Sequence, residues 1–242
     1  MSQNLRIGVF LCMFLLVLLL HSGVQASEQI FEQPKIQHVL GRSTVDGYQV
    51  QLSEAEWQWL RNKRVLRLGV SGPDYPPFEV TRNPDQLEGI TADYADLLGQ
   101  LLHVKIQVRR YANRQAAMQA LKHDELDLLG TSNNFEAADR QLTRSRAYAE
   151  DQPMLVTRLD ERLPDDLVGK RLAMVDDYLP MSSVTALYPK ASVHLYPSTL
   201  EALGAVAFGQ DDVYLGDLIS AKYLINNNYL NNVNLAGPSA LE

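Results

Sequence analysis

The period of the apolar positions changes repeatedly along this chain. Ser53-x-x-Glu56 is a capping-box pattern, and Trp57 and Leu60 lie three apart, so a helix is predicted to begin at Ser53. Residues 65–70 (VLRLGV) read as a strand, and Pro73, Pro76 and Pro77 then fix an extended, non-helical loop over 71–78. Tyr94, Leu97, Leu98, Leu101 and Leu102 recur at helical spacing and predict a helix from about Thr91 with those side chains turned inward. Val104, Ile106 and Val108 alternate with Lys105, Gln107 and Arg109, the mark of a strand with one face buried. A helix over 113–122 and a short strand over 126–130 follow. The polar loop Thr131-Ser132-Asn133-Asn134 then leads into a helical piece around 136–140.

From residue 154 the pattern starts again. Strands are predicted at 154–157, 172–175, 193–195 and 213–215, with helices at 180–187, 199–208 and 217–226. The Asn-rich stretch 226–234 reads as a loop around a short strand. Strands alternating with helices predict parallel α/β sheets, and two successive sets predict two lobes joined near 154–159. Residues 27–52 are weakly patterned and read as an extension or linker with room for one short strand. The expected organisation is a leader over 1–26, that extension over 27–52, a first lobe over 53–156 and a second over 157–242.

Composition narrows the classes. The chain has 242 residues, a hydrophobic fraction of 46% and a formal net charge of −7. It can build one or two real cores, and its acidic balance argues against a nucleic-acid partner. A single Cys excludes a disulfide scaffold or a multi-Cys metal cluster. Arg6, the apolar run 7–20 and the small-residue ending Val24-Gln25-Ala26 follow the order of a secretory signal peptide. The run is shorter than the ~18 residues that read as a membrane span; an uncleaved anchor is the other reading. Cys12 lies inside the run, so the mature chain would be free of thiols, which suits an oxidising compartment.

Ligands of open α/β sheets sit beyond the carboxyl ends of the strands, which points to the loops after Val70, Gly130, Val175 and Leu215. The first holds Asp74, Tyr75 and Phe78, two aromatics beside a carboxylate. They could stack on a ligand and hold its cation, or form a packed corner. The second offers Ser132 and, further on, Arg140, whose guanidinium can clamp a carboxylate with two parallel bonds or be a surface charge. In the last, Asp217 opens a helix as an N-cap, a role compatible with holding a ligand ammonium. His38, His103, His123 and His194 are scattered without metal-ligand spacing. The chain has no Gly-x-Ser-x-Gly elbow and no phosphate-binding Gly-rich loop, so neither an enzyme nor a cofactor is expected.

Residues 65–78 (VLRLGVSGPDYPPF), Glu88-Gly89-Ile90 with Asp93, Asp127-Leu128-Leu129-Gly130 and 213–225 (VYLGDLISAKYLI) together resemble the periplasmic solute-binding proteins of the polar amino-acid class. The lead-in Leu52-Ser53-Glu54-Ala55-Glu56-Trp57 and 148–158 (YAEDQPMLVTR) resemble the flytrap domains of BvgS/EvgS-like hybrid sensor kinases. The resemblance implies a two-lobed class II Venus flytrap, each lobe a mixed sheet flanked by helices. It implies a periplasmic sensing domain of a two-component system, binding an amino acid, polyamine or small carboxylate between the lobes. A further flytrap and a membrane-anchored, dimeric kinase would belong to the parent chain. The alternative is a free amino-acid-binding protein of a transporter.

Carried over by the resemblance, Asp217 is the acidic anchor for a ligand amino group and Arg140 the carboxylate clamp. Ser132 is the hydroxyl after the strand-end glycine, and Tyr75 and Phe78 form the aromatic wall. Three departures stand out. The stretch from Gly130 to Arg140 is about three residues longer than the family pattern. The second-lobe loop carries Asp176 and Asp177 where relatives have Gly and hydroxyl residues; two carboxylates there would repel a ligand carboxylate and favour a cation. Their other role is placement ahead of the helix near Pro180. Last, the chain reaches Glu242 before the return segment to the first lobe, the expectation for a fragment whose first lobe lacks its closing strand.

Overall fold

The computed structural model describes residues 33–136, 142–229 and 231–240. The predicted leader, the helical piece at 137–140 and Arg140 itself lie outside the described residues.

The first half contributes strands β1 (Lys35–Val39), β2 (Val65–Ser71), β3 (Val80–Asn83), β4 (Gln86–Glu88), β5 (Lys105–Tyr111) and β6 (Leu128–Leu129). Between them run helices α1 (Glu54–Lys63), α2 (Ile90–Leu102) and α3 (Arg114–Lys122). The strands form one sheet in the order β3-β4-β1-β5-β2-β6. The second half contributes β7 (Pro153–Arg158), β8 (Arg171–Val175), β9 (Ser192–Tyr196), β10 (Val213–Asp217) and β11 (Val233–Pro238). Its helices are α4 (Met181–Leu187), α5 (Thr199–Ala207) and α6 (Leu218–Leu224), the last followed by a π-helical turn, Ile225–Tyr229. These strands form a second sheet in the order β11-β7-β10-β8-β9.

Local sequence explains most element ends. Ser53 and Glu56 exchange both bonds of a capping box at the start of α1. Asn113, Ser198 and Asp217 cap α3, α5 and α6, each accepting a backbone N–H from the first turn. Side chains alternate across a strand, and β10 shows it. Val213 and Leu215 enter a core with Leu172, Met174, Val184 and Tyr188 on one face. Tyr214 enters another with Ala173, Leu203, Val206 and Leu224 on the other. The first sheet has separate cores, one around Leu68, Val70, Ala92 and Val108. Two sheets with their own cores make two lobes. Among the described residues no helix is long and apolar enough to cross a membrane.

Both sheets are mixed, as the family resemblance implies and not parallel as the strand–helix alternation alone suggests: β1 runs antiparallel to β5, and β7 runs antiparallel to β10 and β11. Other expectations are corrected. The short strand allowed for in the extension is β1 (35–39), and it lies in the interior of the first sheet and not outside the lobe. Its Gln37 is 1% exposed and donates its amide to the Pro84 carbonyl at 3.1 Å. Residues 153–158, expected to end the first lobe, lie inside the second sheet, so the crossing comes earlier than residue 156. An apolar strand pattern does not say which sheet will take it. In α2 the buried face is Thr91, Ala92 and Ala95, while Tyr94 and Leu98 are exposed. Small side chains let that helix lie close on its sheet, and the larger leucines are left at its flanks.

Candidate functional site

Loops at the carboxyl ends of β2, β6, β8 and β10 converge on one cleft of about 1470 Å³ between the two sheets. It is lined from the first lobe by Asp74, Tyr75, Phe78, Glu79, Arg114 and Ser132. From the second come Asp176, Asp177, Tyr178, Tyr214 and Asp217.

Asp217 is a buried residue of this lining. It is 3% exposed, and its Oδ1 accepts the Ser220 N–H at 2.6 Å. The Tyr75 phenol, from the other lobe, and the Asp151 carboxyl both lie close enough to act on its charge. Burial, reinforced by the neighbouring Asp151 charge, pushes Asp217 up to about 7. Burial pushes Asp151 up as well. Gly216 is needed beside this pair: a Cβ there would lie 1.7 Å from the Tyr214 hydroxyl oxygen, so Ala would drive the Tyr214 ring out of place.

The aromatic wall is real but divided. Tyr75 stacks on Phe78 with ring centroids 5.1 Å apart, and Phe78 in turn lies 6.4 Å from Tyr148. Phe78 is buried and stacks on Tyr75, which puts a polar tip on the cleft wall. Asp74 is not free for a ligand cation. Its carboxylate pairs with Arg110 Nη2 at 2.8 Å and accepts the Thr81 N–H at 2.8 Å, which ties down the proline-rich loop. Ser132 is exposed in the cleft and donates to the Asn133 carbonyl at 3.3 Å. Asp176 and Asp177 are exposed at the opposite wall. Burial, then Asp176 and Glu136, push the Asp177 carboxyl up.

Among the charged residues of the cleft that the sequence did not mark are Arg114, Glu79 and Asp151. Arg114 takes Glu136 in a fork, Nε to Oε1 at 2.6 Å and Nη2 to Oε2 at 2.8 Å, and donates to the Thr131 carbonyl at 2.6 Å. Its guanidinium is therefore neutralised within its own lobe. Glu79 is 2% exposed, accepts the Thr131 hydroxyl at 3.2 Å, and is pushed up to about 7 by burial against the pull of Arg114. Arg114 was within reach of the strand-end rule, since it follows β5. Asp151 was not: it enters the cleft because β7 runs antiparallel to β10, with Pro153 opposite Asp217.

The lobes touch across the cleft. Ser220 Oγ donates to the Pro76 carbonyl at 2.6 Å, Asn133 Nδ2 donates to the Tyr178 carbonyl at 2.8 Å, and Phe135 packs on the core containing Leu167 and Val184. Among the described lining residues Asp and Glu outnumber Lys and Arg, so the cleft favours positive charge.

A two-lobed α/β molecule with strand-end loops facing a polar and aromatic cleft belongs to the solute-binding class of folds. The model of the bacterial extracellular solute-binding proteins, family 3, matches residues 66–224, and the chain belongs to that family. It is 38% identical over 226 residues to the virulence sensor protein BvgS of Bordetella parapertussis, which covers 93% of this chain and 18% of that protein. It is 28% identical over 189 residues to the sensor protein EvgS of Escherichia coli O157:H7, covering 77% and 16%. The chain thus spans less than a fifth of these relatives. Among solved structures it is similar to the BvgS periplasmic domain of B. pertussis, at 37% identity and a TM-score of 0.75, over 86% of this chain and 41% of that one. The BvgS periplasmic VFT2 domain of the same organism matches at 26% identity and a TM-score of 0.68, over 79% and 82%. The chain is a Venus-flytrap domain of the kind found in BvgS-type sensors.

Proposed function

We propose that this chain is a periplasmic sensing module that binds a small amino-acid-like or cationic solute between its lobes and signals by their closure. The observation that carries this reading is the cleft itself, whose lining brings Tyr75 of the first lobe and Asp217 of the second to one cavity. A solute held there touches both lobes, so it favours their approach by its differential affinity for that arrangement. Tyr75 and Phe78 form the wall, Ser132 supplies a hydroxyl, and Asp176 and Asp177 bias the mouth toward cations. Arg140 is proposed as an anion contact from the loop after Gly130. In a parent chain of the sensor-kinase type, a further flytrap and a membrane-anchored, dimeric kinase receive the movement.

A thermal-shift screen of the 242-residue chain with amino acids, diamines and small carboxylates tests this. At least one solute is expected to raise the melting temperature of the native chain and not that of Asp217→Asn, which keeps an N-cap side chain. A screen in which no solute shifts the native chain rejects the reading.

A further inference from the structure

The loop after β6 does not stay on its own lobe. Its near end is mounted firmly on the first lobe. The Gly130 carbonyl accepts the Tyr148 hydroxyl at 2.7 Å, the Thr131 hydroxyl donates to Glu79 at 3.2 Å, and the Thr131 carbonyl accepts Arg114 Nη2 at 2.6 Å. Asn133 and Glu136 then close a turn on each other. Asn133 Oδ1 accepts the Glu136 N–H at 2.9 Å, and Glu136 Oε2 accepts the Asn133 N–H at 3.1 Å. This is the reciprocal pattern of a capping box, with Asn in the place of Ser or Thr. The Arg114 fork on Glu136 holds the turn to α3, and both side chains of that pair are less than a fifth exposed.

From this mount two side chains reach the second lobe. Asn133 Nδ2 donates to the Tyr178 carbonyl at 2.8 Å, across 45 positions of sequence. Phe135 packs on the second-lobe core that contains Leu167, Leu179 and Val184. Arg114, Asn133, Phe135, Glu136 and Tyr178 all line the cleft. A solute that bridged the lobes would offer a carboxylate to a forked arginine, a polar donor to the far wall and an apolar body to pack beside it. Residues 133–136 offer all three from within the chain.

We infer that residues 131–136 are an internal latch: a segment of the first lobe that takes the Arg114 side of the cleft in the manner of a tethered ligand and holds the second lobe against it without a solute. This goes beyond the solute-binding reading, because it concerns a closed arrangement that the chain makes by itself. Arg114 is withheld from a solute by Glu136, so a solute meets Tyr75, Ser132, Asp176, Asp177 and Asp217 but not this guanidinium. Closure by a solute then adds to an equilibrium that the latch has already displaced toward the closed arrangement. The grip on the second lobe depends on one amide and one phenyl ring.

The test counts closed and open molecules with no solute added. Dyes are attached to cysteines at Gln58 and Asn227, one exposed position in each lobe, in the 242-residue chain carrying Cys12→Ser, and single-molecule energy transfer reads their separation. Two variants release the latch in different ways. Asn133→Asp keeps the Oδ1 that accepts the Glu136 N–H and removes only the donor to Tyr178. Phe135→Ala removes the packing on the second-lobe core. Each is expected to lower the ratio of closed to open molecules by about fivefold or more, with circular dichroism showing native helix content. Should Phe135→Ala fail to fold, Asn133→Asp decides alone. A closed-to-open ratio that the folded variants leave unchanged overturns the latch. The solute-binding reading then still stands or falls by its own thermal screen.

Discussion

Ser220 on α6 and the carbonyl of Pro76 in the first-lobe loop are joined by a hydrogen bond of 2.6 Å that spans 144 positions of sequence. With the Asn133–Tyr178 bond of 2.8 Å it is a direct tie between the lobes. Ser220→Ala removes the donor and leaves the Pro76 carbonyl without it, a loss of about 1 kcal/mol in the closed arrangement. The expected outcome is a larger radius of gyration in small-angle scattering and an unchanged helix content. A scattering profile identical to that of the native chain would mean that the bond does not hold the lobes together.

Asp127 and Asp212 do the same work in the two lobes. Asp127 accepts the backbone N–H of Arg67 at 2.8 Å and pairs with Arg67 and Lys63, fixing the start of β2. Asp212 accepts the backbone N–H of Arg171 at 2.9 Å and pairs with the same guanidinium, fixing the start of β8. Burial pushes Asp127 up, but the bonds from Arg67 and Lys63 outweigh it and hold the carboxyl well below the usual range. Arg171 holds Asp212 low in the same way. Folded values below the unfolded ones give stability that is present above roughly pH 4 and lost as pH falls further. Asp127→Asn and Asp212→Asn are each expected to cost about 2 kcal/mol at pH 7 and to flatten the acid limb of the stability curve. Urea unfolding at pH 7 and pH 3 measures both; variants that lose as much at pH 3 as at pH 7 would contradict this.

Glu79 works in the opposite sense. Burial raises its folded value to about 7, above the unfolded value near 4.3. Between these two values the native state holds a proton that the unfolded chain has given up. The contribution of Glu79 is therefore full below about pH 4 and lost as pH rises through 7. Glu79→Gln is expected to shrink the fall in stability between pH 5 and pH 8, with the remaining fall shared by the other raised carboxyls, Asp217 first among them. Denaturant midpoints at the two pH values give the answer, and an equal fall in variant and native chain would reject it.

Gly89 caps α2 with φ at +106°, and a Cβ there would lie 2.4 Å from the Phe78 carbonyl oxygen and 2.6 Å from that of Pro77. Those carbonyls accept the Thr91 and Ile90 N–H groups. Gly89→Ala is expected to cost about 2 kcal/mol from strain and lost bonds and to displace the loop that presents Tyr75. The melting temperature should fall, and any solute bound by the native chain should bind more weakly; a variant with native stability would show that the loop adapts freely.

The sequence made some of this legible and hid the rest for physical reasons. Strand-end loops and N-caps are local, so Tyr75, Ser132 and Asp217 were placed in the cleft from pattern and resemblance, and the structure brings them there. Asp74 has the right location but a partner, Arg110, 36 positions away that no local pattern reveals. The place of β1 inside the first sheet was obscured by a buried glutamine, and the buried face of α2 by its being made of Thr91, Ala92 and Ala95 rather than leucine. Asp151 depended on the direction in which β7 pairs with β10, a property of the sheet and not of the segment.

Spin labels at the exposed positions Gln58 on α1 and Asn227 after α6, introduced as cysteines in a chain carrying Cys12→Ser, report the separation of the two lobes directly. Pulsed electron resonance with a solute that binds in the thermal screen is predicted to show a shorter and narrower distance distribution, and Asp217→Asn is predicted to abolish the change. A distribution that the bound solute leaves untouched would contradict closure of the two lobes around it.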